Sequence, residues 1–208
     1  MQFDEVVRRR RMERSFSDAP VPAQVLDRVL DAARRGPSAG FCQGVDLLVL
    51  EGRAQTQQFF ELTSDPEFLA APATLPGVFR APVIVVPLGD PLVYVSRYAE
   101  EDKARSALAG VPAERWPSPF WLVDSSFSVM LLLLAATDNG LSALFFGLHR
   151  DPGQLLARLG LPERKQVIGA VALGYKEPTG SSGAVTVTGS PARRPRRRLD
   201  EVVHRGRW

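Results

Sequence analysis

The order of apolar and polar positions along the chain predicts short buried strands alternating with helices. Phe3, Val6, Val7 and Arg10 recur at helical spacing and predict an opening helix that ends near Arg11. Pro20 and Pro22 then interrupt the chain, and Pro22 sits where proline favours a helix start. From Ala23 to Arg35, Val25, Leu26, Val29, Leu30 and Ala33 form one apolar stripe, which Gly36-Pro37 stops. Asp46–Leu50 reads as a buried strand, and Gln55–Thr63 as a helix with Phe59, Phe60 and Leu62 inward. Ala81–Leu88 is continuous and β-branched, as a central strand is. Leu122–Asn139 is the strongest helix and is apolar almost all round, through Phe127, Val129, Met130 and Leu131–Leu134. Such a helix has no solvent face and belongs in a domain centre or a subunit interface. Asn139-Gly140 closes it, the glycine being free to turn left-handed. Leu141–Phe146 and Val167–Tyr175 read as strands, with a short helix at Gln154–Leu159 between Pro152 and Pro162.

Other stretches lack a clear period. Residues 65–76 are rich in Pro, Ala and Leu. Residues 90–118 carry Tyr94, Tyr98, Glu100, Lys103 and Trp116 with no visible repeat, which fits a lid or exchanged arm and equally a surface excursion. Residues 181–195 are small and polar and read as a connection, whereas Arg196–Trp208 brings Leu199, Val202, Val203 and Trp208, the composition of a tail that docks. No internal repeat is visible. The whole reads as α+β in one domain over residues 1–208.

At 208 residues with 45% hydrophobic and 24% charged positions, the chain is globular and long enough to bury a substantial core. Its net charge of +3 is small but unevenly spread, with arginines crowded at Arg8–Arg14 and Arg193–Arg198. Like-charge blocks are either solvated tails or, with guanidinium, phosphate-facing clusters. The second block lacks interleaved aromatics, so nucleic-acid binding is not expected. Cys42 is the single cysteine, which excludes an intramolecular disulfide and suits a reducing cytoplasm. His149 and His204 are the only histidines, so neither a metal-ligand spacing nor a paired nucleophilic cysteine is visible. Met1–Arg14 has no signal-peptide character, and the apolar run Phe127–Ala136 is too short to span a bilayer. The expectation is a soluble, cytoplasmic protein.

Two segments carry candidate chemistry. RRMERSF, Arg10–Phe16, sets arginines beside the end of a short helix, as a phosphate needs, and GPSAGFCQG, Gly36–Gly44, is a small-residue turn that lets backbone N–H groups approach a flat polar ring. With their companions these segments resemble the FMN-dependent nitroreductase family over essentially the whole chain. The family element Arg-Arg-Ser-x-Arg-x-Phe is matched by Arg10–Phe16, and Pro-Ser-x-x-Asn-x-Gln-Pro-Trp by Pro37–Val45. A long apolar helix, Gly-Leu and an aromatic-x-Gly turn are matched by Leu131–Ala136, Gly140-Leu141 and Phe145–Gly147. Gly169–Tyr175 resembles the Gly-x-Val-x-x-Gly-Tyr strand, and Arg196, Leu199, Asp200 and Glu201 the basic Arg-x-x-Leu-Glu-Glu tail.

The resemblance implies an antiparallel-sheet fold flanked by helices, a homodimer built on the long apolar helix, and a C-terminal tail, residues 181–208, docked on the partner. It implies FMN, with Arg10, Arg11, Met12 and Arg14 at its phosphate and ribityl chain and Arg194 or Arg196 as a second cation. Pro37, Ser38, Ala39 and Gln43 would line the isoalloxazine ring from the partner subunit, and Phe145, Phe146 and Gly147 would lie beside it. No catalytic side chain and no metal are expected, because the cofactor carries the hard chemistry. The implied activity is transfer of hydride from NAD(P)H through flavin N5 to a nitroaromatic, quinone or enone, by a ping-pong cycle. The chain departs from the pattern at Met12 for serine, Phe41 for asparagine and Gly44-Val45 for Pro-Trp. Two other readings stay open: a flavin-binding or sequestering protein without turnover, and an oxygen-dependent flavin-fragmenting enzyme that forms dimethylbenzimidazole.

Overall fold

The structure, a computed structural model, describes residues 1–70, 77–148, 150–178 and 195–208. Its elements run α1 (Phe3–Arg9), α2 (Ala23–Ala33), β1 (Val45–Glu51), α3 (Gly52–Thr63), α4 (Pro66–Ala70), β2 (Val83–Gly89), α5 (Pro91–Tyr98), α6 (Phe120–Asp138), β3 (Ser142–Phe146), α7 (Gly153–Arg158), β4 (Gln166–Val167) and β5 (Ala170–Gly174). The sheet order is β1-β2-β5-β3, with β4 also on β2, and each of these pairings is antiparallel.

Side chains alternate across β2, as the strand period demands. Ile84, Val86 and Leu88 join Ala170, Ala172 and Leu144 beneath Phe59 and Phe60 of α3 and Leu155 and Leu156 of α7. Val83 and Val85 join Val171, Leu173 and Ala143 beneath Leu26 and Val29 of α2 and Leu132, Leu133 and Ala136 of α6. Helices therefore cover both faces of the sheet, giving three layers. That double burial is why the strands read as unbroken apolar runs.

The strand expected over Val167–Tyr175 is divided. Val85 pairs with Val171 and Leu88 with Val167, so β2 advances three residues while its partner advances four. The extra residue is a bulge at Ile168-Gly169. Gly169 adopts φ 142°, and a Cβ there would lie 2.5 Å from the Phe146 carbonyl oxygen, so the bulge requires glycine.

Two expectations need correction. Helix α6, expected in a domain centre or a subunit interface, leaves one stripe uncovered in the single chain: Phe127 is 44% and Met130 49% exposed, with Val123 beside them. At 19 residues α6 also exceeds the run Phe127–Ala136, and by length and composition alone it could cross a bilayer. Its opposite side lies buried on α2 and the sheet, which makes it a core helix. Residues 90–118, expected to lack regular structure, contain α5 and single 3-10 turns at Glu101–Lys103 and Ala113–Arg115. Asp90 caps α5 by accepting the Leu92 N–H at 3.1 Å, and Pro91 follows as its first residue. Tyr94, Trp116, Trp121 and Cys42 form a third apolar cluster under this segment. The helical period was hidden because α5 also exposes Leu92 and Val93.

Gly140 takes the left-handed conformation expected of it, φ 76°. In the C-terminal tail, Leu199, Val202, Val203 and Trp208 are exposed in the single chain.

Candidate functional site

The arginine segment is placed by a strand edge. Arg10 ends α1, its N–H donating to the Val6 carbonyl at 2.9 Å. Met12 then forms a parallel bridge with Ala143 on β3, the sheet's edge, and the Glu13 N–H donates to the Ala143 carbonyl at 3.0 Å. Fully buried Phe16 pins the far end by a bridge to Lys176. The segment thus touches β3 at Ala143 and then passes to Lys176 beyond the start of that strand, while β3 itself ends at Phe146 and continues into Gly147.

Within it the side chains divide. Arg10 Nη1 is buried without a hydrogen-bond partner, the single such side-chain atom among the described residues. A buried, unpaired guanidinium nitrogen is costly, and a hydrogen-bond acceptor is what it lacks. Arg14 is half-buried, with Nη1 3.3 Å from the Met12 carbonyl oxygen. Arg11 turns away: it is exposed and donates to the Arg10 carbonyl at 2.9 Å and to the Arg8 carbonyl, covering the end of α1. Glu13 Oε1 accepts the N–H groups of Arg14 and Ser15 at 2.9 and 3.0 Å, so those two donors are already engaged. Met12 contributes no polar side-chain atom and packs into both core layers.

At the end of β3 the two phenylalanines are core residues. Phe146 lies 6.2 Å from both Phe59 and Phe60, and Phe145 packs into the layer under α2 and α6. Gly147 is exposed, and a Cβ there would meet no atom within 4 Å. Backbone and open space are what this end offers a ligand. Arg196 is exposed at the start of the tail, and Arg194 lies outside the described residues.

The second segment, Gly36–Gly44, is held by partners that sequence periodicity did not single out. Gly36 lies against α6, where a Cβ would sit 3.3 Å from the Ser128 nitrogen. The Ala39 N–H donates to Asp124 Oδ2 at 2.9 Å, and Tyr94 Oη donates to the same oxygen at 2.7 Å. Ser38 Oγ accepts the Gln43 N–H at 2.9 Å. Arg97 Nε donates to the Gly40 carbonyl at 3.0 Å while its other nitrogens hold Asp102 at 2.6 and 2.7 Å. The rings of Tyr94 and Tyr98, one helical turn apart, lie on Gly44 and Gly40, and a Cβ at either glycine would run into them. Glycine at 44, in place of the pattern's proline, is therefore matched to Tyr94. Asp124 in the first turns of a mostly apolar helix and the Tyr94/Tyr98 spacing were the signals available in the sequence.

Pro37, Ser38 and Gln43 border a shallow cleft of about 140 Å³ with Arg34, Asp124 and Ser128. Burial, and then Asp124, push the Cys42 thiol up to about 11, so it is protonated and a poor nucleophile at neutral pH.

The two segments do not meet within one chain. Strand pairing puts the start of β1, after Gln43, and the end of β3, before Gly147, at the same end of the sheet. They lie on opposite edges, three strand spacings or about 14 Å apart. The structure puts Arg10, Met12 and Arg14 on the same edge of the sheet as Phe145–Gly147, tied to it at Ala143, and holds Pro37–Gln43 at the other edge.

Residues 7–175 match the model of the nitroreductase family. A relative from Methanothermobacter thermautotrophicus, provisionally named NADH dehydrogenase/NAD(P)H nitroreductase, is 28% identical over 178 residues, covering 84% of this chain and 78% of its own. A 4-nitrobenzoate reductase from Nocardioides is 26% identical over 202 residues, covering 84% and 81%. Among solved structures, a nitroreductase with bound FMN from Bacteroides fragilis superposes with TM-score 0.59 at 21% identity, covering 91% of this chain and all of that one.

Proposed function

The chain belongs to the nitroreductase family, and from that premise we propose that it is an FMN-dependent homodimeric oxidoreductase of the cytoplasm. It would carry hydride from NAD(P)H to an electron-poor acceptor of nitroaromatic, quinone or enone type. The observation that carries the reading is Arg10 Nη1, buried and unpaired at the edge of β3. A phosphate oxygen there would satisfy it.

The residues present fit the cofactor. Arg10 and Arg14 would hold its phosphate, with Arg194 or Arg196 as a second cation from the tail. Arg11 and Met12, assigned by the resemblance to the same grip, would act through the backbone that ties the segment to β3. Phe145 and Phe146 would fix the end of β3 so that the open side of Gly147 borders the isoalloxazine edge. Pro37, Ser38, Ala39 and Gln43 would come from the partner subunit, since one chain keeps them at the other edge of the sheet. FMN, when bound, supplies the atom that accepts and returns hydride, so no acid–base side chain is required. The protein's part is to bind, orient and exclude water. Asp124 and Tyr94 serve that part by holding Ala39 in place.

The test is the visible spectrum of the purified protein, before and after anaerobic addition of NADPH. A flavin spectrum that bleaches is expected, and Arg10→Ala should lower flavin occupancy about tenfold or more while the protein stays folded. A colourless protein that FMN cannot reconstitute would sink the proposal. A flavin-holding protein without turnover is favoured by one observation, that Met12 offers the cofactor no polar side chain. Flavin that stays oxidised with every nicotinamide donor would select it.

A further inference from the structure

The turn that precedes β1 displays one aromatic ring at the expense of backbone strain. Phe41 has φ 56° and is 74% exposed. Its neighbours Gly40 and Gln43 also have positive φ, 61° and 54°. Glycine adopts that conformation freely, whereas a bulky residue there is strained and persists only where its surroundings over-determine it. The surroundings do so here. Asp124 holds the Ala39 N–H, Arg97 holds the Gly40 carbonyl, Ser38 holds the Gln43 N–H, and the rings of Tyr94 and Tyr98 close on Gly44 and Gly40. Every one of these contacts is made by the residues flanking Phe41. The Phe41 side chain is left facing solvent, while next to it Cys42 is buried.

An apolar core does not need this ring, and a simple turn would place Asn or Gly at position 41 with less strain. We propose that Phe41 is the acceptor-contacting residue, a ring displayed on a rigidly held turn to stack on planar, electron-poor aromatic acceptors such as nitroarenes and naphthoquinones. The inference rests on the reading that Pro37–Gln43 lines the flavin pocket, and it narrows that reading to one acceptor class. The physical basis is quadrupolar. The face of a benzyl ring is electron-rich, and a nitroarene or quinone ring is electron-poor, so an offset stack or edge contact adds attraction beyond buried area. A small aliphatic enone or an inorganic oxidant gains nothing from it. The held turn adds to the effect, because its backbone has little freedom left to lose on binding.

The test uses the full-length protein loaded with FMN, as wild type, Phe41→Ala and Phe41→Leu. KM and kcat are measured with 2-methyl-1,4-naphthoquinone and with ferricyanide, alongside flavin occupancy by absorbance and assembly state by sedimentation. Because Phe41 is largely solvent-exposed, both variants are expected to fold, assemble and hold flavin as the wild type does. In Phe41→Ala the KM for the quinone should rise roughly two- to tenfold more than that for ferricyanide, with kcat for the quinone changing less. Phe41→Leu, which keeps apolar area without a π-face, should fall between. An unchanged KM ratio in Phe41→Ala overturns the inference while leaving the proposed function standing. Loss of assembly or of flavin in Phe41→Ala also overturns it, because the ring would then belong to the interface or the cofactor. A wild-type protein that takes up no FMN overturns both.

Discussion

Asp124 is a buried carboxylate on a mostly apolar helix, and its Oδ2 accepts from Tyr94 and Ala39 with no ion pair among the described residues. Burial first, and then Asp124, raise the Tyr94 phenol well above its ordinary range, so this hydroxyl is a donor at every working pH. Tyr94→Phe keeps the ring on Gly44 and removes only the hydroxyl, leaving Asp124 Oδ2 with a single donor. Such a loss costs about 1–3 kcal/mol. Urea unfolding should show the midpoint falling with the slope unchanged; a shift below about 0.5 kcal/mol would mean that the bond contributes nothing net. The residue scale is also where the sequence was least informative. Arg10, Arg11 and Arg14 look alike in a run of arginines, and a run has no register. Only α1 and β3 decide that Arg10 and Arg14 are both half-buried, that Nη1 of Arg10 is buried, and that Arg11 is spent on helix carbonyls.

At the scale of elements, legibility followed burial. β2 announced itself as a continuous apolar run because helices cover both its faces, and α6 because it is long. Helix α5 did not, since eight residues with Leu92 and Val93 outside and Tyr94 and Tyr98 inside give no clean stripe. What holds α5 is its first turn. Asp90 is 2% exposed, caps the helix, and meets Arg164 Nε at 3.1 Å and Lys165 Nζ at 3.4 Å. Burial pushes its carboxyl up, but Arg164, the Leu92 N–H and Lys165 outweigh burial and hold it below the usual carboxylate range. A folded-state value below the unfolded one, about 3.9, means stability that is present above that pH and lost as pH falls through the folded value. Asp90→Asn preserves the cap and removes the charge. It should cost about 1–3 kcal/mol at pH 7, and the gap to wild type should narrow below about pH 4 as Asp90 itself takes a proton. A gap constant down to pH 3 would place the effect elsewhere than in the charge.

Over the whole molecule, the separation of the two candidate segments and the bare stripe on α6 point to one arrangement. Arg10, Arg14 and Gly147 sit at one edge of the sheet and Pro37–Gln43 at the other, so a pocket using both needs a second copy. Val123, Phe127 and Met130 give α6 an exposed apolar face, and α1, which packs on α6, adds exposed Phe3 and Val7. Exposed apolar surface of that kind is what a homodimer covers. The exposed stripe was half legible: the apolarity of α6 was plain, but the sequence could not show which side stays free in the single chain, because the sheet-facing and solvent-facing residues are equally apolar. The two requirements are coupled and can be tested together. Met130 is half exposed, so Met130→Glu leaves the core intact while placing a charge on the exposed apolar face, where the desolvation cost opposes association through it. The variant is expected to unfold at a midpoint close to that of wild-type protomers, to sediment as a monomer, and to lose flavin in proportion to the dimer lost. Adding protein concentration should restore both dimer and flavin, because mass action links them. A monomeric Met130→Glu that keeps its full complement of flavin would show that one chain completes the site, and the Pro37–Gln43 segment would then have to be assigned another partner.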